Sequence, residues 1–202
     1  MIGIIVAAIF FGSVAFIGIQ VSRAVCAGVS PEADGPATGT TPVIVLVAAS
    51  TLLGGILMWQ GATPAQFGIF AIVIFALVAC WSSDLLCGML PDYFTLAPLG
   101  LLLVFAASQH NWELIISALF VAVPFVAAAA FSRGYGMGWG DAKLVAISGA
   151  ALGAPLAFLA LAVACFAAVI GHRIAGWPKR PIAFAPYIAA VTGIALPLSI
   201  LH

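Results

Sequence analysis

The sequence predicts an all-α integral membrane protein, a polytopic bundle of about eight hydrophobic segments. Of the 202 residues, 65% are hydrophobic and 6% are charged, whereas an ordinary soluble domain carries roughly 25% charged residues. No soluble fold of this size can bury so much apolar surface. With six basic residues and a net charge of zero, the chain also lacks the positive patch of a nucleic-acid-binding protein. We therefore expect its partners in or near the lipid bilayer.

Eight apolar runs follow one another along the chain, separated by turns rich in proline and glycine. They occupy approximately residues 2–22, 43–58, 65–83, 93–107, 114–132, 142–152, 155–172 and 183–200. A membrane-spanning helix needs about 20 mostly apolar residues, so the sixth run is too short to span without tilting. We interpret residues 1–202 as a single polytopic membrane domain.

The first run lacks a preceding basic residue and is followed by Arg23. This pattern favours a retained span over a cleaved signal peptide. The longest polar stretch, residues 24–42, comes next and carries Glu32 and Asp34 among Pro, Gly, Ser and Thr. It predicts a short cytoplasmic loop.

Basic residues orient the predicted spans, because lysine and arginine collect in cytoplasmic loops. If Arg23 ends the first span on the cytoplasmic side, eight spans place the other basic residues there too, namely Arg133, Lys143, Arg173, Lys179 and Arg180. The opposite loops then contain none. A re-entrant sixth segment would instead leave Arg173 outside.

Two aspartates are candidate functional residues, because a carboxylate at the bilayer centre costs about 2.5 to 3.5 kcal/mol on insertion scales. Asp84 follows the third apolar run and Asp141 opens the sixth, so the predicted orientation puts both at cytoplasmic span ends. Either one alone could be a hydrated or helix-capping aspartate. Their shared depth favours a pair that acts together.

Glycine occupies every second position from Gly134 to Gly140, directly before Asp141. Without side chains, these positions allow another backbone or a peptide substrate to approach closely. A flexible connector is the alternative. The segment lacks the GK[ST] ending of a phosphate-binding loop and does not follow a strand, which argues against nucleotide binding.

Three stretches resemble motifs of the type IV prepilin peptidase family. Gly138-Trp139-Gly140-Asp141, followed by Ala-Lys143-Leu, resembles the GxGD motif. Asp84-Leu-Leu-Cys-Gly-Met-Leu-Pro91-Asp92 resembles the family's first aspartate motif, and Pro181-Ile-Ala-Phe-Ala-Pro186-Tyr187 is similar to the proline-rich start of its last helix. Together they cover roughly residues 65–200.

The resemblance implies a GxGD-type aspartic endopeptidase that removes the leader of prepilin or pseudopilin substrates at the cytoplasmic face of a bacterial inner membrane. It implies that Asp84 and Asp141 are the catalytic pair, supported by Gly138, Gly140 and Pro91. Two carboxyls sharing a site cannot easily both ionise, so one acts as a base on water while the other acts as an acid. This chemistry needs no metal or organic cofactor.

Two further charged residues belong to these motifs. Lys143 either steers an acidic group of the substrate and supports the pair, or extends to the lipid headgroups. Asp92 is interpreted as a helix cap after Pro91 rather than as a third catalytic acid.

The cysteines depart from the pattern of the larger family members, which carry a cytoplasmic domain with paired CxxC motifs and methylate the new N-terminus. Here the corresponding loop holds Cys26 alone, while Cys80, Cys87 and Cys165 lie in or beside apolar runs. Their spacing is unlike that of a zinc site. The sequence therefore predicts buried thiols, no structural metal and no N-methyltransferase activity, as in the compact peptidases that serve tight-adherence (Flp) pili.

Two other classes of function remain open at this point. A small proton-coupled transporter would also place acids within its helices, although near the membrane midplane. A structural subunit of a pilus or secretion assembly would need neither aspartate, and its glycines would serve helix packing.

Overall fold

The computed structural model describes residues 2–29, 40–131, 138–174 and 183–200, which form a bundle of α-helices. In chain order, these residues form α1 (Ile2–Val29), α2 (Thr40–Trp59), α3 (Pro64–Cys87), α4 (Asp92–Ser108), α5 (Trp112–Phe131), α6 (Trp139–Leu152), α7 (Ala154–Ile174) and α8 (Ala185–Ala195), followed by a short 3-10 helix (Leu196–Ile200). Each α-helix overlaps one predicted apolar run. The prediction of an all-α polytopic bundle is thus confirmed.

The helices differ in how far they could reach across a bilayer. Within the described ranges, α1, α2, α3, α5 and α7 are long and apolar enough to cross it. Helix α6 has 14 residues and is therefore about 21 Å long, shorter than the roughly 30 Å hydrocarbon core. The sixth segment is thus short, as predicted.

Helix α1 extends further than the first predicted apolar run. Helix α1 continues to Val29, so residues 24–29 are helical where the sequence predicted the start of a loop. Other predictions concern residues outside the described ranges. These residues are 30–39 with Glu32 and Asp34, Arg133, the glycine series from Gly134 to Met137, Lys179, Arg180, and the first two residues of the motif that begins at Pro181.

Helix α3 lies at the centre of the bundle, packed against α1, α4, α6 and α8. It begins with a capping box, in which the Thr63 hydroxyl accepts from the Gln66 backbone amide while the Gln66 side chain accepts from the Thr63 amide. Both backbone donors are thereby satisfied at the helix start. The residue that caps its C-terminal end is Gly88, whose φ of 64° lies in the left-handed region that glycine adopts without steric cost.

Helix α6 is held against its neighbours by small and polar residues. A Cβ added to Gly149 would lie 2.9 Å from Val121 Cβ and 3.0 Å from the Ser117 carbonyl oxygen of α5, so glycine permits this close helix contact. On another side, the hydroxyls of Ser148 and Thr192 form a buried 2.9 Å hydrogen bond between α6 and α8.

The cysteines correct the prediction of buried free thiols. Cys26 and Cys87, whose Cα atoms are 5.9 Å apart, form a disulfide that joins the end of α1 to the end of α3. Cys80 is free and buried, whereas Cys165 is free and exposed. The prediction was wrong for Cys26 and Cys87, because packing brings together two helix ends that are distant in sequence. It was also wrong for Cys165, which is not buried.

Candidate functional site

The fold brings Asp84 and Asp141 together at one end of the bundle. Asp84 lies in the last turn of α3 and Asp141 in the first turn of α6, and both side chains are half-buried. Their carboxyl groups are close enough to interact electrostatically. The buried thiol of Cys80 lies one turn before Asp84 on α3.

Gly138 shapes the surroundings of Asp141. It occupies the N-cap position of α6, and the Asp141 side chain turns back towards it, so that the Gly138 backbone amide faces the carboxyl group. A Cβ at residue 138 would lie 3.2 Å from Asp141 Oδ2. Glycine therefore leaves room for the carboxyl group at a helix start, where the backbone favours negative charge.

Gly140 connects the two aspartate motifs. A Cβ at residue 140 would lie 2.6 Å from Leu90 Cβ. Two side-chain carbons cannot come this close unless one of the residues moves. Leu90 belongs to the connection between α3 and α4 that follows Asp84. The absence of a side chain at Gly140 lets the first turn of α6 pack directly on that connection.

The surroundings of Asp84 include the start of α8, which sequence reasoning did not anticipate. The backbone amide of Ala185, the first residue of α8, faces the Asp84 carboxyl group. Pro186 comes next, within the first turn, a position that suits proline because its missing amide would have no helical partner there. The proline-rich motif predicted a helix start in this region, but it did not indicate that this start would lie beside Asp84.

One oxygen of each aspartate has no protein partner among the described residues. Asp84 Oδ2 and Asp141 Oδ1 are both buried and accept no hydrogen bond there, although nearly all buried polar groups in folded proteins are paired. Each aspartate thus keeps one carboxyl oxygen available for a water molecule or a substrate group. A coupled pair of this kind can exchange protons with a bound substrate.

Lys143 and Asp92 form an ion pair between α6 and the start of α4. Pro91 occupies the N-cap position of α4 and no side chain caps it, so the interpretation of Asp92 as a helix cap is wrong. Asp92 instead stands in the first turn and binds Lys143. The sequence did not indicate this pairing, because the two residues lie 51 positions apart and meet only through the packing of α4 on α6.

Comparison with known proteins agrees with the family that the motifs resemble. The family model described as the type IV leader peptidase family matches residues 69–172, a range that includes Asp84, Asp141 and the connection between α3 and α4. No curated protein and no solved structure matches the chain.

Proposed function

Since this chain belongs to the type IV leader peptidase family, we propose that it is a membrane-embedded aspartic endopeptidase with Asp84 and Asp141 as its catalytic pair. The membership supports a peptidase, and the five long apolar helices found among the described residues support a multi-pass membrane setting. The observation that carries the aspartic mechanism is the pairing of two half-buried carboxyl groups, each with an oxygen that no described protein group binds.

In the proposed reaction, the ionised aspartate takes a proton from a water molecule whose oxygen attacks the scissile carbonyl carbon. The protonated aspartate donates its proton to the developing oxyanion. When the tetrahedral intermediate collapses, the carbon–nitrogen bond breaks and the first aspartate gives its proton to the leaving amine. At the same time the second aspartate takes a proton back from a hydroxyl of the intermediate, whose carbonyl re-forms. The products are a carboxylic acid and an amine, and the pair has regained its starting protonation.

The proposed substrate is a prepilin or pseudopilin, which loses its leader at the cytoplasmic face of the inner membrane. The one-sided distribution of Lys and Arg supports this placement. We propose no N-methyltransferase activity, because residues 30–39 between α1 and α2 contain no cysteine and are too few to form a CxxC domain.

The position of the pair along its helices favours a peptidase over a proton-coupled transporter. Asp84 lies three residues before the end of α3, and Asp141 is the third residue of α6. Acids that drive transport belong near the membrane midplane. A pair at the end of the bundle instead suits a site that receives a peptide from the membrane surface.

The test is leader removal by the purified chain in lipid bilayers, followed by mass spectrometry of a prepilin substrate. Asp84→Asn and Asp141→Asn should each lower the rate by about 10² to 10⁴, the usual contribution of a positioned acid or base. The double variant should be little worse than either single variant, because the two groups act as one unit.

The matched control is Glu113→Gln, the same acid-to-amide change at an exposed residue. Glu113 lies in the first turn of α5. The opposite end of α5, after which the chain continues to α6 and Asp141, is about 30 Å away. The Glu113 variant should therefore cleave at the wild-type rate. Near-normal cleavage by either aspartate variant would exclude the two-aspartate mechanism. Loss of cleavage in the control would point to a general defect in folding.

A further inference from the structure

A cavity on the side of the bundle lies close to the aspartate pair and is not used by the proposed mechanism. It has a volume of about 380 Å³ and lies between α2, α3 and α8. We call it the lateral groove and define it by the facing residues of α2 between Leu46 and Ile56, of α3 between Ile74 and Trp81, and of α8 between Ala189 and Ile194.

The lateral groove exists because α2 stands apart from the centre of the bundle. Helix α2 packs on α1 and also contacts the 3-10 helix that follows α8, while α3 and α8 pack on each other. The gap opens sideways towards the lipid, since its rim includes the exposed side chains of Leu52, Ile56 and Ile194. A segment already in the membrane can therefore enter without crossing the bundle.

The lining of the groove indicates an apolar helical occupant. None of the described residues that line it is charged. Its walls include the small residues Ala49, Ala189, Ala190 and Gly193, and such residues allow close packing between membrane helices. A Cβ added to Gly193 would meet no heavy atom within 4 Å among the described residues, so this position of α8 faces open space.

The groove also points to the aspartate pair. Trp81 is three residues before Asp84 on α3, and Ala189 is four residues after Ala185 on α8, whose backbone amide faces the Asp84 carboxyl group. One end of the groove is therefore about one helical turn from the pair on both walls. From Ile74 to Trp81 its α3 wall measures about 10 Å, or two turns of helix.

We propose that the lateral groove binds an apolar helix of the membrane-bound substrate beside the cleaved bond, and that this docking places the bond at Asp84 and Asp141. This inference rests on the proposed function, because it takes the occupant to be the substrate. The apolar helix lies along α3 and α8, and the residues just beyond its end reach the carboxyl groups. The groove then determines which membrane proteins are cleaved.

The first test compares two substrates of the full chain in bilayers. One carries the leader and the apolar helix, and the other is a short soluble peptide across the same bond. Gly193→Leu puts a side chain into the groove and should lower kcat/KM for the first substrate at least tenfold more than for the second, mainly through KM. Equal losses for both substrates, or no loss for either, would overturn the proposal.

The matched control is Gly100→Leu on α4. Gly100 is a helical, exposed glycine at which an added Cβ would also meet no heavy atom within 4 Å among the described residues, and it lies outside the groove. Its variant should not discriminate between the two substrates. Discrimination as large as that of Gly193→Leu would show that any bulky side chain on the lipid-facing surface has this effect, and would contradict the proposal.

The second test separates docking from cleavage. A photoreactive residue at Ala190, in the Asp141→Asn background that leaves the substrate uncut, should cross-link to the apolar helix of the added substrate. Cross-links to lipid alone, or to a second copy of the chain, would overturn the proposal. If the wild-type chain cleaves neither substrate, the proposed function fails, and this cross-link still decides whether the groove binds an apolar helix.

Discussion

Helices α2 and α3 have similar lengths and similarly apolar sequences, yet they occupy very different places in the protein. In the most hydrophobic stretch of α3, 56% of the residues are buried within the protein, against 17% for α2. Helix α3 is surrounded by four other helices and carries Asp84, whereas α2 is attached mainly to α1. Hydrophobicity alone therefore does not distinguish a central helix from a peripheral one.

The difference indicates a division of tasks between the centre and the edge of the bundle. The central helices α3 and α6 hold two carboxyl groups in fixed positions, with Gly138, Gly140 and the start of α8 completing their surroundings. The peripheral α2 leaves one side of α3 accessible from the lipid. In the proposed function, such an arrangement would hold the two carboxyl groups in place while a membrane-bound peptide reaches them.

The largest effect should follow from filling the close contact at the centre. In Gly140→Ala, the new Cβ would lie 2.6 Å from Leu90 Cβ, so we expect a destabilisation of about 1 to 3 kcal/mol, typical of overpacking, together with slower cleavage because Asp141 shifts. Thermal unfolding in detergent and the leader-removal rate measure both. Gly100→Ala, on an open helix face, should leave cleavage unchanged and should not lower stability, because alanine favours a helix more than glycine does. An equally mild effect at Gly140 would show that its contact with Leu90 is not tight.

A matched pair of valines tests the comparison between α2 and α3 directly. Val73 on α3 is fully buried, whereas Val45 on α2 is 59% exposed. Val73→Ala should destabilise the protein by about 1 to 3 kcal/mol, through lost contacts and the cavity left behind. Val45→Ala should stay within about 0.5 kcal/mol. Equal destabilisation in chemical unfolding would mean that α2 is packed as tightly as α3.

The ion pair at the end of the bundle should matter less. Asp92 is 63% exposed, and exposed ion pairs contribute about 0 to 1 kcal/mol. Lys143→Met, Asp92→Asn and the double variant form a double-mutant cycle in which we expect a coupling energy below about 1 kcal/mol and a change in cleavage rate below about tenfold. A loss of cleavage with Lys143→Met but not with Asp92→Asn would assign Lys143 a direct role towards the substrate.

The smallest effect on cleavage is expected for two cysteine substitutions that test the orientation of the protein in the membrane. In a Cys165→Ala background, cysteines at Ser108 and Ile174 should both leave cleavage unchanged, and only the cysteine at 108 should react with an impermeant thiol reagent outside the cell. The basic residues predict this result. Reaction at 174 alone would reverse the orientation, and reaction at both would contradict the eight-span arrangement.

This labelling is also informative because of the disulfide between Cys26 and Cys87. It lies at the aspartate end of α3, which the basic residues assign to the cytoplasm. Disulfides are rare in that compartment, where thiols are kept reduced. The basic residues thus favour the cytoplasmic side for this end of the bundle, whereas the disulfide favours the opposite side. The labelling pattern distinguishes these two orientations.

Much of the fold and part of the site could be predicted from the sequence. The apolar runs located the eight α-helices of the described residues, because a membrane helix must satisfy its backbone hydrogen bonds within itself and therefore appears as a continuous apolar stretch. The Asp84 and Asp141 motifs located two residues that the fold then brings together. Their catalytic role stays a proposal, since it needs the cleavage assay.

The contacts around the aspartates were not predictable in the same way. Asp92 was interpreted as a cap because an aspartate after a proline is typical of a helix start, but Lys143 from a distant part of the chain binds it. Cys26 and Cys87 gave no sign of pairing for the same reason. Each of these contacts joins residues whose distance in sequence carries no information about their distance in space.

The sequence by itself determined that this is a helical membrane protein, where its helices lie, and which family its motifs resemble. Only the tertiary structure decided that α3 is central and α2 peripheral, that the Ala185 amide faces Asp84, that Leu90 packs on Gly140, and that a groove opens beside the pair. The physical reason is that these helices are apolar on all sides, so their sequences do not mark the face that packs. The helix-packing contacts of the folded bundle make that choice.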